Sequence, residues 1–93
     1  MLKITTESGR SYLLDDSFWR RLPKSEQERP MAWEKVWRLE RGTHFAHPWD
    51  SPEGTWEAGQ PEVGKFMHIG SRDLWWTSTM VVAIEEIDSE DDI

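Results

Sequence analysis

The sequence predicts a small, mostly β, antiparallel single domain, and three observations support this prediction. Segments near both ends of the chain alternate apolar and polar residues, as strands with one buried face do. Turn-forming residues separate these segments at short intervals. The 93 residues suffice for one domain, and seven tryptophans can supply much of a thin core.

The first three predicted strands follow one another closely. Residues 2–6 alternate, and a turn containing Gly9 leads into a second strand over residues 11–14. A further turn precedes a third short strand over residues 18–22, which ends at Pro23 because proline cannot donate to a sheet ladder. The N-terminal part of the chain is therefore predicted to be a three-stranded meander.

Residues 30–41 are compatible with a helix or a strand. In a helix, Pro30 would occupy the first turn and Gly42 would follow as the C-terminal cap. The four-residue spacing of Trp33 and Trp37 places them on one face in either case. The neighbouring segments are predicted strands, which favours the strand.

The second half of the chain begins with a long predicted loop and ends with a long strand. Residues 44–64 contain three prolines, three glycines and two tryptophans, which predicts a Trp/Pro/Gly-rich loop. Residues 65–69 form a short predicted strand, and residues 74–87 form one that exceeds the usual strand length and should bend. Val81 and Ile84 are three residues apart, so both can face the core only if a β-bulge separates them.

One core and an acidic tail complete the predicted organisation. Residues 1–88 form the domain, and residues 89–93 form a disordered acidic tail that folding does not require. Six of the last nine residues are acidic, so most of the net charge of −7 belongs to this end of the chain. The predicted core residues are Leu2, Ile4, Tyr12, Leu14, Phe66, Ile69, Val81 and Ile84.

Three motifs occur in order along the chain: Ile4-Thr5-Thr6-x-Ser8-Gly9-x-x-Tyr12-x-x-Asp15, Val63-Gly64-x-x-Met67-x-Ile69 and Ser78-Thr79-x-Val81-x-x-Ile84. Together they resemble small proteins of actinobacteriophages, notably mycobacteriophages. The resemblance covers both ends of the chain and leaves the middle unaccounted for. It implies a small β-barrel-like (SH3-like) domain of phage origin in the host cytoplasm. It supplies no catalytic residues, because the family is largely uncharacterised.

The composition argues against several kinds of chemistry. The absence of cysteine excludes disulfides, thiolate metal sites and thiol catalysis. No glycine-rich phosphate loop or Gly-x-Ser-x-Gly element is present. The adjacent acidic pairs at 15–16 and 85–86 would point to opposite faces of a strand, so neither pair shares a site. The sequence therefore predicts a non-enzymatic protein without a cofactor.

One spacing suggests a metal site. His44, His47 and Asp50 could supply two imidazoles and a carboxylate to Zn²⁺ or Ni²⁺, with His68 or water completing the set. They lie in a proline-containing loop without a rigid scaffold. A polar surface loop is the favoured interpretation, and no metal is predicted.

The tryptophans are the stronger candidates for function. Trp75 and Trp76 should point to opposite faces of their strand, so one of them faces away from the core. Trp49 and Trp56 could cover the core as a lid or form a binding patch, and at least one of them should be exposed. The predicted interaction surface consists of Trp33, Trp37, Trp49, Trp56 and Trp75.

The resemblance to phage proteins and the absence of catalytic motifs imply binding to an unidentified host protein during infection, and the tryptophans add a little support. Two alternatives stay open: a self-associating accessory or virion-associated protein, and a nucleic-acid-linked regulator. Arginines next to Trp19 and Trp37 could assist base stacking, but a body of nearly balanced charge makes nucleic acid an unlikely partner. No apolar run approaches the roughly 18 residues of a membrane span, so the host cytoplasm is the predicted location.

Overall fold

β-Strands are the main regular elements of the chain and contain about 45% of its residues. The structure, a computed structural model, describes residues 1–92. Within this range there are two short 3-10 helices, Pro48–Asp50 and Glu90–Asp92, and no helix is long and apolar enough to cross a membrane. The strands are β1 (Leu2–Thr6), β2 (Ser11–Asp15), β3 (Phe18–Arg21), β4 (Glu34–Lys35), β5 (Arg38–Gly42), β6 (Trp56–Ala58), β7 (Phe66–Gly70) and β8 (Trp75–Glu86).

All neighbouring strands pair antiparallel in one sheet, in the order β4-β3-β2-β1-β8-β7-β5-β6. This arrangement confirms the predicted mostly β, antiparallel fold. It also confirms the strand interpretation of residues 30–41, which contribute β4 and most of β5. The sheet does not close into a barrel, so the predicted barrel-like form is wrong. The finer likeness to SH3 domains stays a prediction.

The short edge strands explain why the sheet remains open. β4 and β6 have two and three residues, too few to form a long closing ladder. Between β4 and β5, the Val36 N–H donates to the Ser17 carbonyl at 2.7 Å and the Trp37 N–H donates to the Gly70 carbonyl at 2.8 Å. The chain thus changes partners from one half of the sheet to the other within two residues.

Strand β8 contains the predicted bulge. Its first half pairs with β7 and its second half pairs with β1. Thr5 is paired with Ala83 and Thr6 with Val81, which leaves Val82 as the extra residue. Val81 is therefore buried, and Ile84 packs against the same core.

The predicted core residues are confirmed except for Phe66, and the core contains further residues on β3 and β7. Met67 and Ile69 are buried together because side chains two residues apart share a face of a strand. The predicted Phe66 lies on the other face and packs against Phe45, with 5.7 Å between ring centroids. Trp19, which was not predicted, is fully buried in the cluster. The buried cluster consists of Ile4, Tyr12, Leu14, Trp19, Met67, Ile69 and Val81, with Leu2 and Ile84 partly buried against it.

The predicted loop over residues 44–64 is interrupted by regular structure. It contains the 3-10 helix Pro48–Asp50 and the strand β6. Strand β6 can form because the prolines and glycines flank its three residues, which pair with the last three residues of β5. The segment before β6, residues 43–55, crosses the face of the sheet that carries the candidate site.

The acidic tail contacts the domain through an ion pair. Glu90 forms an ion pair with Arg20 at 3.1 Å, and Ile93 of the predicted tail lies outside the described residues. An ion pair with a partly exposed carboxylate contributes at most about 1 kcal/mol. We therefore expect that truncation after Asp88 lowers the melting temperature by only a few degrees. Differential scanning calorimetry checks this prediction, and a collapse of the transition would show that folding requires the tail.

Candidate binding site: an aromatic cleft

The candidate site lies on the face of β5, β7 and β8 that points away from the core. Side chains of paired residues in adjacent strands lie on the same face of a sheet. Two rows of residues, each paired across the three strands, therefore lie next to each other on this face. One row consists of Glu40, His68 and Thr77, and the other of Arg38, Gly70 and Trp75.

Trp49 joins the loop to this face through aromatic contacts. Its ring stacks on His47, with 4.5 Å between centroids and 7° between planes. It meets Trp75 edge-on at 5.7 Å and 90°, and His68 at 5.7 Å and 87°. Offset and edge-on arrangements are favourable for aromatic rings at these distances. The 3-10 helix of the loop is thereby held over β7 and β8.

The Thr77 hydroxyl group also holds the loop against the sheet. Thr77 Oγ1 lies 2.9 Å from His68 Nδ1 and 3.1 Å from His47 Nδ1. A hydroxyl has one donor and two acceptor positions, so it can serve both imidazoles. Thr77 thus connects the loop histidine to the strand histidine.

Burial controls the charge of His68. The side chain is 1% exposed although it lies on the face away from the core, because the loop tryptophans cover it. Removal from water lowers the pKa of His68 to about 4, and the positive charge of Arg38 acts in the same direction. His68 is therefore neutral at physiological pH and serves as a packing and hydrogen-bonding group.

Trp56 covers the sheet, whereas Trp49 is exposed. The Trp56 indole N–H donates to Ser51 Oγ at 3.2 Å, and the Ser51 hydroxyl donates to the His47 carbonyl at 3.0 Å. Its ring lies against Gly42, where any Cβ would collide with the indole. Trp49 is 53% exposed, which confirms that at least one of these two tryptophans faces solvent.

An open cleft of about 410 Å³ begins beside Trp49. Three tryptophans line it, and their exposed fractions are 73% for Trp37, 53% for Trp49 and 47% for Trp75. Arg38 and Arg72 are the charged residues of its lining, because His68 is neutral at physiological pH. The remaining lining comes from Gly70 and Ser71. The cleft therefore combines apolar surface with two guanidinium groups.

Not every predicted surface tryptophan belongs to this cleft. Trp33 is partly buried near Arg20, whose guanidinium carbon lies 5.8 Å from the ring centroid, and it does not line the cleft. Trp76 faces the core side, opposite to Trp75, as predicted. Arg21 stacks on Trp76 at 3.4 Å, so this arginine is engaged within the fold.

The structure does not assemble the metal-site candidates. His44 Nδ1 lies 3.3 Å from the Thr43 carbonyl oxygen, whereas His47 contacts Thr77 and Trp49. Among residues 1–92, no three metal-ligating side chains are close enough to share an ion. His44, His47 and Asp50 thus remain separate members of the loop.

Arg72 was missed at the level of sequence, whereas His68 was considered only as an additional metal ligand and Arg38 only as a group that assists base stacking. Alternation with buried Met67 and Ile69 could have placed His68 on the opposite face, but nothing in the sequence indicates that this face is covered. Arg38 and Arg72 are 34 positions apart in the chain, and only the pairing of β5 with β7 and the turn after β7 bring them together.

Comparisons with known proteins find no counterpart of this arrangement. No protein-family model matches the chain, and no curated protein or solved structure is similar to it.

Proposed function

We propose that this chain is a non-enzymatic phage protein that binds a host protein in the host cytoplasm through the aromatic cleft. The observation that carries the proposal is the clustering of Trp37, Trp49 and Trp75 around one concave surface, each about half exposed or more. Tryptophan is enriched among residues that dominate binding energy at protein interfaces. The phage origin and the host partner rest on the motif resemblance described above.

The arrangement of the cleft suits binding because its parts are already ordered. Trp75 belongs to a strand, Trp37 is held by its backbone bond to Gly70, and Trp49 is held by His47 and the rings around it. A surface whose aromatic groups are immobilised before binding loses less conformational entropy when a partner arrives. The short edge strands, by contrast, give little support to self-association by strand pairing.

Replacing Trp49 by alanine tests the proposal. Trp49 is 53% exposed and is not part of the buried core, so the domain should still fold, although the loop loses its ring contacts with His68 and Trp75. Affinity for the partner should fall by about 2 kcal/mol or more, roughly 30-fold. The measurement is capture of host protein from a mycobacterial lysate, followed by titration of the purified partner with the variant. Trp37→Ala should have a similar effect.

Phe45→Ala supplies the matched control. Phe45 is exposed on the same loop but does not line the cleft, so its variant should bind the partner as the unmodified protein does. Equal binding by the Trp37 and Trp49 variants and the unmodified protein would contradict the proposal. Light scattering on a size-exclusion column shows whether the purified chain associates with itself, which would favour the self-association alternative.

A further inference from the structure

We propose that the cleft accepts an extended, proline-containing protein segment in the polyproline II conformation, with a carboxylate next to the prolines. This inference rests on the proposed function, because it names the chemistry of the partner. Three features of the cleft support it: the mutual orientation of the tryptophans, their unoccupied indole donors, and the sign of the charge on the lining.

The orientation of the rings suits proline side chains. Trp49 and Trp75 are perpendicular with 5.7 Å between their centroids, so they form a corner with an apolar wall on each side. Trp37 adds a third exposed ring to the same cleft. Polyproline II segments dock in aromatic-lined grooves because their rings pack on flat apolar surfaces and their backbone is already extended.

The indole N–H groups can donate hydrogen bonds to the backbone of the ligand. Within residues 1–92, no hydrogen-bond acceptor meets the indole N–H of Trp37, Trp49 or Trp75, whereas the N–H of Trp56 donates to Ser51. A polyproline II segment makes no internal backbone hydrogen bonds, so its carbonyl oxygens are free to accept. Exposed tryptophans with free donors thus complement such a segment.

The positive charge of the lining favours an acidic residue next to the prolines of the ligand. Arg38 and Arg72 are both on the cleft, and no carboxylate lines it. Arg38 is paired with Glu40, which leaves the exposed Arg72 as the main site for an incoming anion. The guanidinium group binds a carboxylate with two parallel hydrogen bonds. The body of the domain has nearly balanced charge and so lacks the extended basic surface that a polyphosphate strand requires, whereas the two guanidinium groups of the cleft suit a single carboxylate.

Fluorescence anisotropy with short labelled peptides tests this inference on the intact protein. The probes are a repeat of Pro-Pro-Glu, the same repeat with Gln in place of Glu, and a Gly-Ser-Glu repeat of equal length. We expect the Pro-Pro-Glu peptide to bind most tightly, the Gln version about tenfold more weakly, and the Gly-Ser-Glu peptide not measurably.

A charge substitution identifies the residue responsible. Arg72→Gln should lower the affinity for the Pro-Pro-Glu peptide about tenfold and leave the affinity for the Gln version unchanged. Arg29→Gln is the matched control, because Arg29 is also exposed but does not line the cleft. Equal binding of the Glu and Gln peptides would overturn the carboxylate assignment. Binding of the Gly-Ser-Glu peptide as tight as that of Pro-Pro-Glu would overturn the polyproline assignment.

A single-stranded oligo(dT) probe supplies the competing class of ligand. Tighter binding of oligo(dT) than of Pro-Pro-Glu would overturn the inference in favour of base stacking on the tryptophans. Failure of the peptides is distinguishable from failure of the proposed function. Loss of every peptide signal, with host-protein capture that still depends on Trp49, would overturn the inference alone.

Discussion

Replacement of Trp19 by alanine is expected to lower the free energy of unfolding by about 3–5 kcal/mol, the usual cost of removing a buried aromatic side chain. Trp19 is 0% exposed and belongs to the buried cluster between β3 and the strands around it. A small domain has a total stability of about 5–15 kcal/mol, so this loss removes a large part of it. Urea denaturation followed by circular dichroism measures the change from the midpoint and slope.

Two variants control for the size and chemistry of this side chain. Trp19→Phe keeps an aromatic ring and removes an indole N–H that meets no acceptor among residues 1–92. Its free energy of unfolding should therefore fall by less than half as much as that of Trp19→Ala. Trp75→Ala, at a 47% exposed position, should change stability by about 1 kcal/mol or less. A loss below about 1.5 kcal/mol for Trp19→Ala would show that the core does not depend on this residue.

Acidification is expected to destabilise the protein through His68 by about 3 kcal/mol. The folded-state pKa of His68 is about 4, below the ordinary value of 6.5, so the unfolded chain binds a proton first as pH falls. Stability should therefore be constant above about pH 7 with respect to this group, and should decline as pH falls from about 6.5 to about 4. The difference between a pKa of 6.5 and one of about 4 corresponds to the stated loss of free energy of unfolding.

Substitution of His68 separates its contribution to the pH dependence of stability from that of the carboxyl groups. His68→Gln should lower stability at pH 7 but remove most of the decline between pH 6.5 and pH 4.5. Below that range, Glu28 and Glu57 contribute their own loss, because hydrogen bonds from Arg10 and Arg41 hold the pKa of each carboxyl below its ordinary value. His44→Gln, at an exposed position of the loop, serves as control. Unchanged pH dependence in His68→Gln would contradict the prediction.

The strands at both ends of the chain could be predicted because their information is local. Period-two alternation and the turn containing Gly9, whose φ is 88°, specify the β1–β2 hairpin. The spacing of Val81 and Ile84 likewise specifies a bulge without knowledge of the partner strand. Strand β6 could not be predicted, because its three residues become a strand only by pairing with β5.

The candidate site was predicted only in part. The enrichment of tryptophan indicated an aromatic surface, and Trp37, Trp49 and Trp75 do line one cleft. The sequence could not separate these residues from Trp33, which lies elsewhere, because solvent exposure depends on which loop crosses which face. The spacing of His44 and His47 likewise could not predict whether they share a metal ion. A loop has no regular period, so its sequence does not specify where its side chains point.

By itself, the sequence determined the antiparallel β class, the bulge in β8 and the opposite orientations of Trp75 and Trp76, all of which follow from the alternation of side chains along a strand. Only the tertiary structure decided that the sheet stays open, that His68 is buried on the face away from the core, and that two arginines distant in sequence share a cleft with three tryptophans. The physical reason is that strand pairing and loop placement are long-range interactions. Their free energy depends on surfaces that exist only after the chain has folded.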